Sequence, residues 1–204
     1  MEFPSVILND IIDNFSKLPG IGKKSALRMA LFILKQEKEF CQKFSDSIIN
    51  LKNNINFCTE CGFLCDDLMC SYCSNSFRQK EYICVVESIR EVLTIENTKQ
   101  YSGLYHVLGG LISPIDGIGP DSLHIDKLIE RVKNNEAKEV IFALSPTIQG
   151  DTTVFYIQQK LANLNCKITT ISRGVSFGGE IEFVDELTLG KSIINRQPPQ
   201  NYIV

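Results

Sequence analysis

What this 204-residue sequence lacks narrows its class before any motif is read. No stretch approaches the ~18 consecutive apolar residues that a membrane span requires. Low-complexity runs and internal repeats are absent. There is no excess of positive charge: 21 Lys and Arg against 24 Asp and Glu leave a net −3. The protein is therefore no polycation, and any nucleic-acid binding must come from a local, salt-sensitive patch. Met1-Glu2-Phe3-Pro4 has neither a basic n-region nor a long apolar run, so no secretory leader is expected and a cytoplasmic location is the simplest. Histidine is scarce, and neither His106 nor His124 has a cysteine or carboxylate at ligand spacing; both are expected in core or surface roles. No complete Gly-x-x-x-x-Gly-Lys-Ser/Thr loop exists. Leu189-Gly190-Lys191-Ser192 carries only its last residues, so ATP binding finds no support. What remains is ordinary globular composition, 44% apolar and 22% charged, long enough for one or two domains with a proper core.

The most informative stretch runs from Cys58 to Cys73. It holds two Cys-x-x-Cys pairs, Cys58/Cys61 and Cys70/Cys73, with Cys65 between them. This is the paired spacing of a tetrahedral zinc site. Each pair fits a tight turn presenting two thiolates to one ion, and Gly62 relieves the strain of such a turn. The remaining residues, mostly polar or small, cannot build a core of their own, so metal ligation is the expected source of the fold, at an apparent ~10–16 kcal/mol. Buried reduced cysteines and disulfides are the competing readings. Five cysteines so close together argue against the first, and a cytoplasmic chain of this length argues against the second. Cys65 is the spare, because using it as a ligand breaks a matched pair. A closed set of four thiolates leaves no open coordination position, so the zinc is expected to be structural and to set the join between the flanking domains.

Before the cysteines the pattern is helical. Val6, Ile7, Leu8, Ile11, Ile12 and Phe15 recur at helical spacing. The helix should stop at Leu18-Pro19-Gly20-Ile21-Gly22, where proline disfavours a helical Leu18 and the glycines permit positive φ. A second helix follows from about Lys23 or Ser25 to Lys35, burying Leu27, Leu31 and Leu34. A third spans Phe40 to Ile55. The connection between the first two leaves backbone N–H groups free at a helix N-terminus, a ready anion site. No acid lies between Asp13 and Glu37, whereas Lys17, Lys23, Lys24, Arg28 and Lys35 do. Lys24 and Arg28, four apart, share one helix face. Gly20 and Gly22 let a phosphate approach the main chain. Two readings stand: a backbone-holding DNA element, or an ordinary turn between helices with a solvated basic face.

After the cysteines, short apolar runs alternate with amphipathic segments, the pattern of an α/β domain. Strands are expected at Ile83–Val86, Tyr105–Leu108, Val140–Leu144 and Ile168–Ile171. Cys84 is then a core residue. Helices should fill Ile89–Ile95, Leu123–Val132, Thr152–Leu164 and Asp185–Ile194. Irregular loops cover 109–120 and 145–151, the former rich in Gly and Pro and long enough to be a functional surface. Glu87 ends its strand where α/β sheets place ligands; equally, it stands beside a helix N-terminus, where a negative charge is favoured. The Pro198-Pro199 tail ends in Tyr202, Ile203 and Val204, an apolar terminus expected to dock on its own domain or on a neighbouring subunit.

In order, Leu18 to Met29, the two cysteine pairs, Ile83-Cys84-Val85-Val86-Glu87-Ser88, Ser113 to Pro120, Pro146-Thr147 and Gly178-Gly179-Glu180 resemble the RecR family of bacterial recombination mediators across nearly the whole chain. The resemblance implies an α+β multidomain fold. Its parts are a helical domain with a helix-hairpin-helix (1–55), a small four-cysteine zinc finger (56–78), an α/β Toprim domain with a parallel-type sheet (79–174), and a C-terminal helix and tail (175–204). It further implies a homo-oligomeric, tetrameric ring that acts with RecO and RecF to load RecA onto gapped DNA covered by single-strand-binding protein. The family's basic hairpin residues map onto Lys24 and Arg28; Lys23 stands where many members carry proline.

Catalytic Toprim domains, by the same resemblance, carry a glutamate after the first strand and an Asp-x-Asp pair after a later one, which together hold Mg²⁺ beside a phosphodiester. Glu87 fills the first place. The later strand ends in Ser145-Pro146-Thr147, Gln149 stands where members often have an acid, and Asp151 comes later still. No nuclease, primase or strand-passage activity is expected, and Glu87 with Asp151 is left as a partner-binding or weak Mg²⁺ surface. The leading reading is a non-catalytic DNA-binding mediator. The alternatives are a zinc-stabilised protein-interaction scaffold with weak DNA contact, and a Mg²⁺-dependent nucleotidyl-transfer enzyme.

Overall fold

Ser5 opens the first helix, its hydroxyl accepting the amide of Leu8 at 3.3 Å, an N-cap that satisfies one of the orphan donors of a helix start. Helix α1 is Val6–Ser16, α2 is Lys23–Leu34 and α3 is Lys38–Asn54. The computed structural model describes residues 4–134, 137–176 and 178–198, and it divides into two compact units, Met1–Ile55 and Asn56–Val204.

In the first unit the buried residues are Ile12, Ala26 and Ala30, with Leu8, Ile11, Phe15, Ile21 and Leu27 packed round them. Of the leucines expected to be buried on α2, Leu27 packs against the core, but Leu31 is 41% and Leu34 74% exposed. Two alanines four residues apart leave a shallow groove, and a neighbouring helix approaches a groove more closely than a ridge of leucines. Helix α3 keeps its apolar periodicity but buries none of its residues.

The second unit begins with a small antiparallel pair, β1 Asn56–Phe57 and β2 Leu64–Cys65, followed by one helical turn, α4 Ser71–Ser74. Then come β3 Gln79–Val86, α5 Ile89–Asn97, β4 Gly103–Val107, α6 Ile125–Asn134, β5 Glu139–Ala143, α7 Ile148–Leu161, β6 Lys167–Thr170 and α8 Glu186–Ile194. The last four strands form one sheet in the order β4-β3-β5-β6, all parallel, with Val86 beside both Val107 and Ala143. Ile83 and Val85 pack towards α6 and α7, while Cys84 and Val86 face the other layer with Val92 and Tyr105. Burial on both faces is why β3 reads as an unbroken apolar run. The second layer is completed by Phe63 and Tyr72 from the cysteine segment.

Helix α7 starts four residues earlier than the sequence pattern suggests. The Thr147 hydroxyl caps it by accepting the amide of Gly150 at 3.1 Å, which places Asp151 in its first turn. A side chain at Gly150 would collide with the Ser145 carbonyl. The 109–120 loop is two short 3₁₀ turns, Pro114–Asp116 and Pro120–Ser122, tied down by the Ile112 amide donating to Thr153 Oγ1 at 2.9 Å. Among the described residues no helix is long and apolar enough to cross a membrane. Pro199, Tyr202, Ile203 and Val204 lie outside the described residues.

Candidate metal centre and nucleic-acid interface

The Sγ atoms of Cys58, Cys61, Cys70 and Cys73 all lie within 4.8 Å of one another. Tetrahedral ligation with sulfur at ~2.3 Å requires sulfurs roughly 3.8 Å apart, and Cys61 and Cys70 stand at 3.5 Å. The four therefore fit a metal ion. The turn at the first pair is held by the backbone: Gly62 N–H donates to Cys58 O at 2.9 Å and Cys58 N–H to Phe63 O at 2.7 Å. The Phe63 amide also donates to Cys61 Sγ at 3.4 Å, a bond that favours thiolate over thiol. Bonded to Cys70 and Cys73 and buried, the Cys61 thiol is pushed far above the ordinary thiol range, while the bonds from Cys61 and Cys73 draw Cys70 down to about 2. A bound dication favours the thiolate form of the sulfurs that ligate it. Cys65 stands outside the set and donates to the Asp67 carbonyl at 2.9 Å.

The cysteine segment is built into the sheet. Val107 N–H at the end of β4 donates to Cys61 O at 2.7 Å. Gly62 has φ +73°, and a Cβ there would stand 3.1 Å from Val107 O and 3.2 Å from His124 Nδ1. Glycine is thus required both by the turn and by the close approach. From α6, the Arg131 guanidinium donates one Nη to Tyr105 O and the other to Cys73 Sγ at 3.4 Å. Arg131 is only 5% exposed, and its Nε has no partner among the described residues. A cation in this place offsets the surplus negative charge of a four-thiolate site. On the other side Arg78 donates through Nη2 to both carboxylate oxygens of Glu96 at 2.6 Å and through Nη1 to Gly103 O at 2.6 Å, and lies over the Tyr72 ring at 4.7 Å. Neither arginine was visible as a site residue in the sequence; the only signal was an arginine on the otherwise apolar face of α6.

His106 is buried, and its Nε2 meets His124 O at 2.8 Å. Burial holds it down at about 3, so it is a neutral core residue. Cys84 is a core residue too, its thiol pushed up to about 12 by burial.

In the first unit Gly20 has φ +76° and Gly22 is the extended N-cap of α2 with no side-chain bond. The turn closes by Ile21 N–H to Leu18 O at 3.1 Å, and Ala26 N–H donates to Gly22 O at 3.0 Å. The amides of Lys23, Lys24 and Ser25 have no acceptor among the described residues. Lys23, Lys24 and Arg28 are all exposed, and Arg28 reaches Ser25 Oγ at 3.4 Å. Three free N–H groups and three cations at one helix start form a surface suited to phosphate.

Glu87 and Asp151 are not brought together with a third acid; the cysteines are the only such ligand group among the described residues. Glu87 follows β3 at the point where the strand order reverses, between β4 and β5, and Ser145 Oγ lies 3.4 Å from its Oε2. Asp151 is paired with Arg173 at 2.6 Å, which holds its carboxyl below the usual range.

Comparison with known proteins decides the family. The chain is 51% identical to the recombination protein RecR of Phocaeicola vulgatus over 195 residues, covering 96% of this chain and 95% of that one. It belongs to the RecR family. The RecR protein of Cytophaga hutchinsonii is also 51% identical, over 96% of each chain, and that of Bacteroides thetaiotaomicron 49% over 96% and 95%. Family models match in the order of the RecR parts: RecR helix-hairpin-helix over 8–52, Toprim domain over 81–172 and RecR C-terminal over 174–197. The hairpin lies inside the first match and the sheet, apart from the first two residues of β3, inside the second, so the fold class read as helix-hairpin-helix, cysteine cluster and parallel Toprim sheet stands. This RecR-family chain carries its cysteine cluster between those two matches.

Proposed function

We propose that the protein is a cytoplasmic, DNA-binding recombination mediator without catalytic turnover, acting with RecO and RecF to help load RecA onto gapped DNA. The observation that carries this reading is the α2 start: three unpaired amides beside exposed Lys23, Lys24 and Arg28, within the segment matched by the RecR helix-hairpin-helix model. Gly20 and Gly22 keep side chains out of the way of a phosphate, so the hairpin holds backbone and reads little sequence. One structural zinc sits on Cys58, Cys61, Cys70 and Cys73. Segments 56–78, 79–174 and 175–204 of the second unit serve as zinc finger, Toprim domain and C-terminal helix with tail. Lys24→Ala with Arg28→Ala should weaken oligonucleotide binding almost equally for all sequences and flatten its salt dependence. Full affinity in that variant, measured by fluorescence anisotropy, removes the hairpin from DNA binding.

A homo-oligomeric ring accords with the apolar residues left exposed on α2 and α3, among them Phe32, Ile48 and Leu51; several weak hairpins on one ring gain effective concentration. The same exposed residues favour the second reading, a zinc-stabilised scaffold for protein partners with weak DNA contact. Light scattering together with DNA titrations at several salt concentrations separates the two, since a monomer that binds no DNA belongs to the scaffold. The non-catalytic reading is supported by Asp151 being engaged by Arg173 and Glu87 lying against Ser145, with Glu87 and Asp151 kept as a partner surface. A nicking or primer-synthesis activity with Mg²⁺ that is lost on Glu87→Ala contradicts it.

A further inference from the structure

Beyond β6 the chain builds a cavity that none of these roles uses. After Thr170 it runs on irregularly through Ser176 before reaching α8. A cavity of about 650 Å³ lies there, and Arg173, Lys191 and Arg196 line it with the hydroxyls of Ser172 and Ser192. No carboxylate is among its lining residues. The amides from Ser172 to Val175 have no acceptor among the described residues. The neighbouring acids are already engaged: Asp151 by Arg173 at 2.6 Å, and Asp185 by the Thr188 amide at 2.9 Å as the cap of α8.

Of the cations round this cavity Arg173 is paired with Asp151, while Lys191 and Arg196 have no ion pair among the described residues; two such cations side by side favour an anion between them, and an arginine fork matches the oxygens of a phosphate. The place is right for a ligand as well, since parallel sheets bind theirs beyond the carboxyl ends of the strands. Gly190-Lys191-Ser192 is no phosphate loop, because it lies within α8, but its lysine and serine both line this cavity. We infer that the cavity is a phosphate-binding site, separate from the hairpin, which takes the phosphate of a nucleic-acid backbone or free phosphate.

The test uses the full chain carrying Lys191→Ala and Arg196→Ala, both exposed in the native protein, with circular dichroism and light scattering matched to wild type. If that variant misfolds, the milder Lys191→Gln with Arg196→Gln takes its place. In one arm a labelled oligothymidine is titrated over a range of NaCl concentrations. Losing two backbone contacts should lower the slope of log K against log salt by about 1.4, at ~0.7 per contact on single strands, and weaken binding about fivefold or more at low salt. The same loss should appear when the variant is added to Lys24→Ala with Arg28→Ala, so that failure of the hairpin and failure of the cavity are told apart. In the other arm inorganic phosphate is compared with chloride at equal ionic strength, and its rise in Tm should be smaller for the variant. A change confined to the first arm assigns the site to nucleic acid; one confined to the second assigns it to free phosphate. Wild-type behaviour in both arms overturns the inference.

Discussion

The two units of this chain hold themselves together in opposite ways. The first rests on a thin helical core of one isoleucine and two alanines, and leaves most of the apolar stripe of α3 in solvent. The second has a parallel sheet buried on both faces, with the cysteine cluster pinned to it by Val107, Arg131 and Arg78. Apolar surface, at roughly 25 cal/mol per Å² buried, decides the first. In the second, a few buried polar bonds hold the sheet to a cysteine segment whose four sulfurs are close enough together to take a metal ion. Through Phe63 and Tyr72 the cysteine segment joins the sheet's covering layer.

The largest way to break this contrast is at the metal. Cys70→Ser, or stripping with a chelator, should cost several kcal/mol out of the ~10–16 available to a structural site, read as a fall in the melting of the sheet while the helical unit keeps its own transition. Next is Arg131→Met, which removes the buried cation between Cys73 and Tyr105. About 3–5 kcal/mol is expected from breaking such a buried pair, with faster zinc release to a chromogenic chelator; wild-type release with wild-type stability contradicts the role. His106 gives a smaller, pH-dependent effect. Its proton affinity is depressed from 6.5 to about 3 on folding. Stability is therefore full above pH 6.5 and declines as pH falls from there towards 3, by about 2 kcal/mol at pH 5. His106→Gln should flatten that part of the pH profile relative to wild type in urea melts. Smallest is Leu34→Ser on the exposed stripe of α2, within about 0.5 kcal/mol for the isolated unit. A much larger loss places that stripe in an interface.

Much of this was legible in the sequence because the signals are local. Paired cysteine spacing, the Pro-Gly-Ile-Gly break and the strand runs are each set by neighbours within a few residues, and each stands where the pattern placed it. Signals that depend on distant partners were not legible. Arg131 lies 58 residues from the sulfur it meets, and nothing near it in sequence marks it. The buried face of α2 runs through Ala26 and Ala30 with Leu27 at its edge, and excludes Leu31 and Leu34, because close helix packing here selects the small residues where hydrophobicity alone favours leucine. The early start of α7 was marked by Thr147, a good N-cap, but Gly150 two residues into the helix reads as loop until its collision with Ser145 O is seen.

Native-state hydrogen exchange before and after zinc removal tests most directly whether the cysteine segment and the sheet are one structure. The amides of Tyr105 to Val107 in β4 should lose protection together with the cysteine turns, while α1 and α2 keep theirs. Loss of protection confined to 56–78, with β4 unchanged, would contradict it.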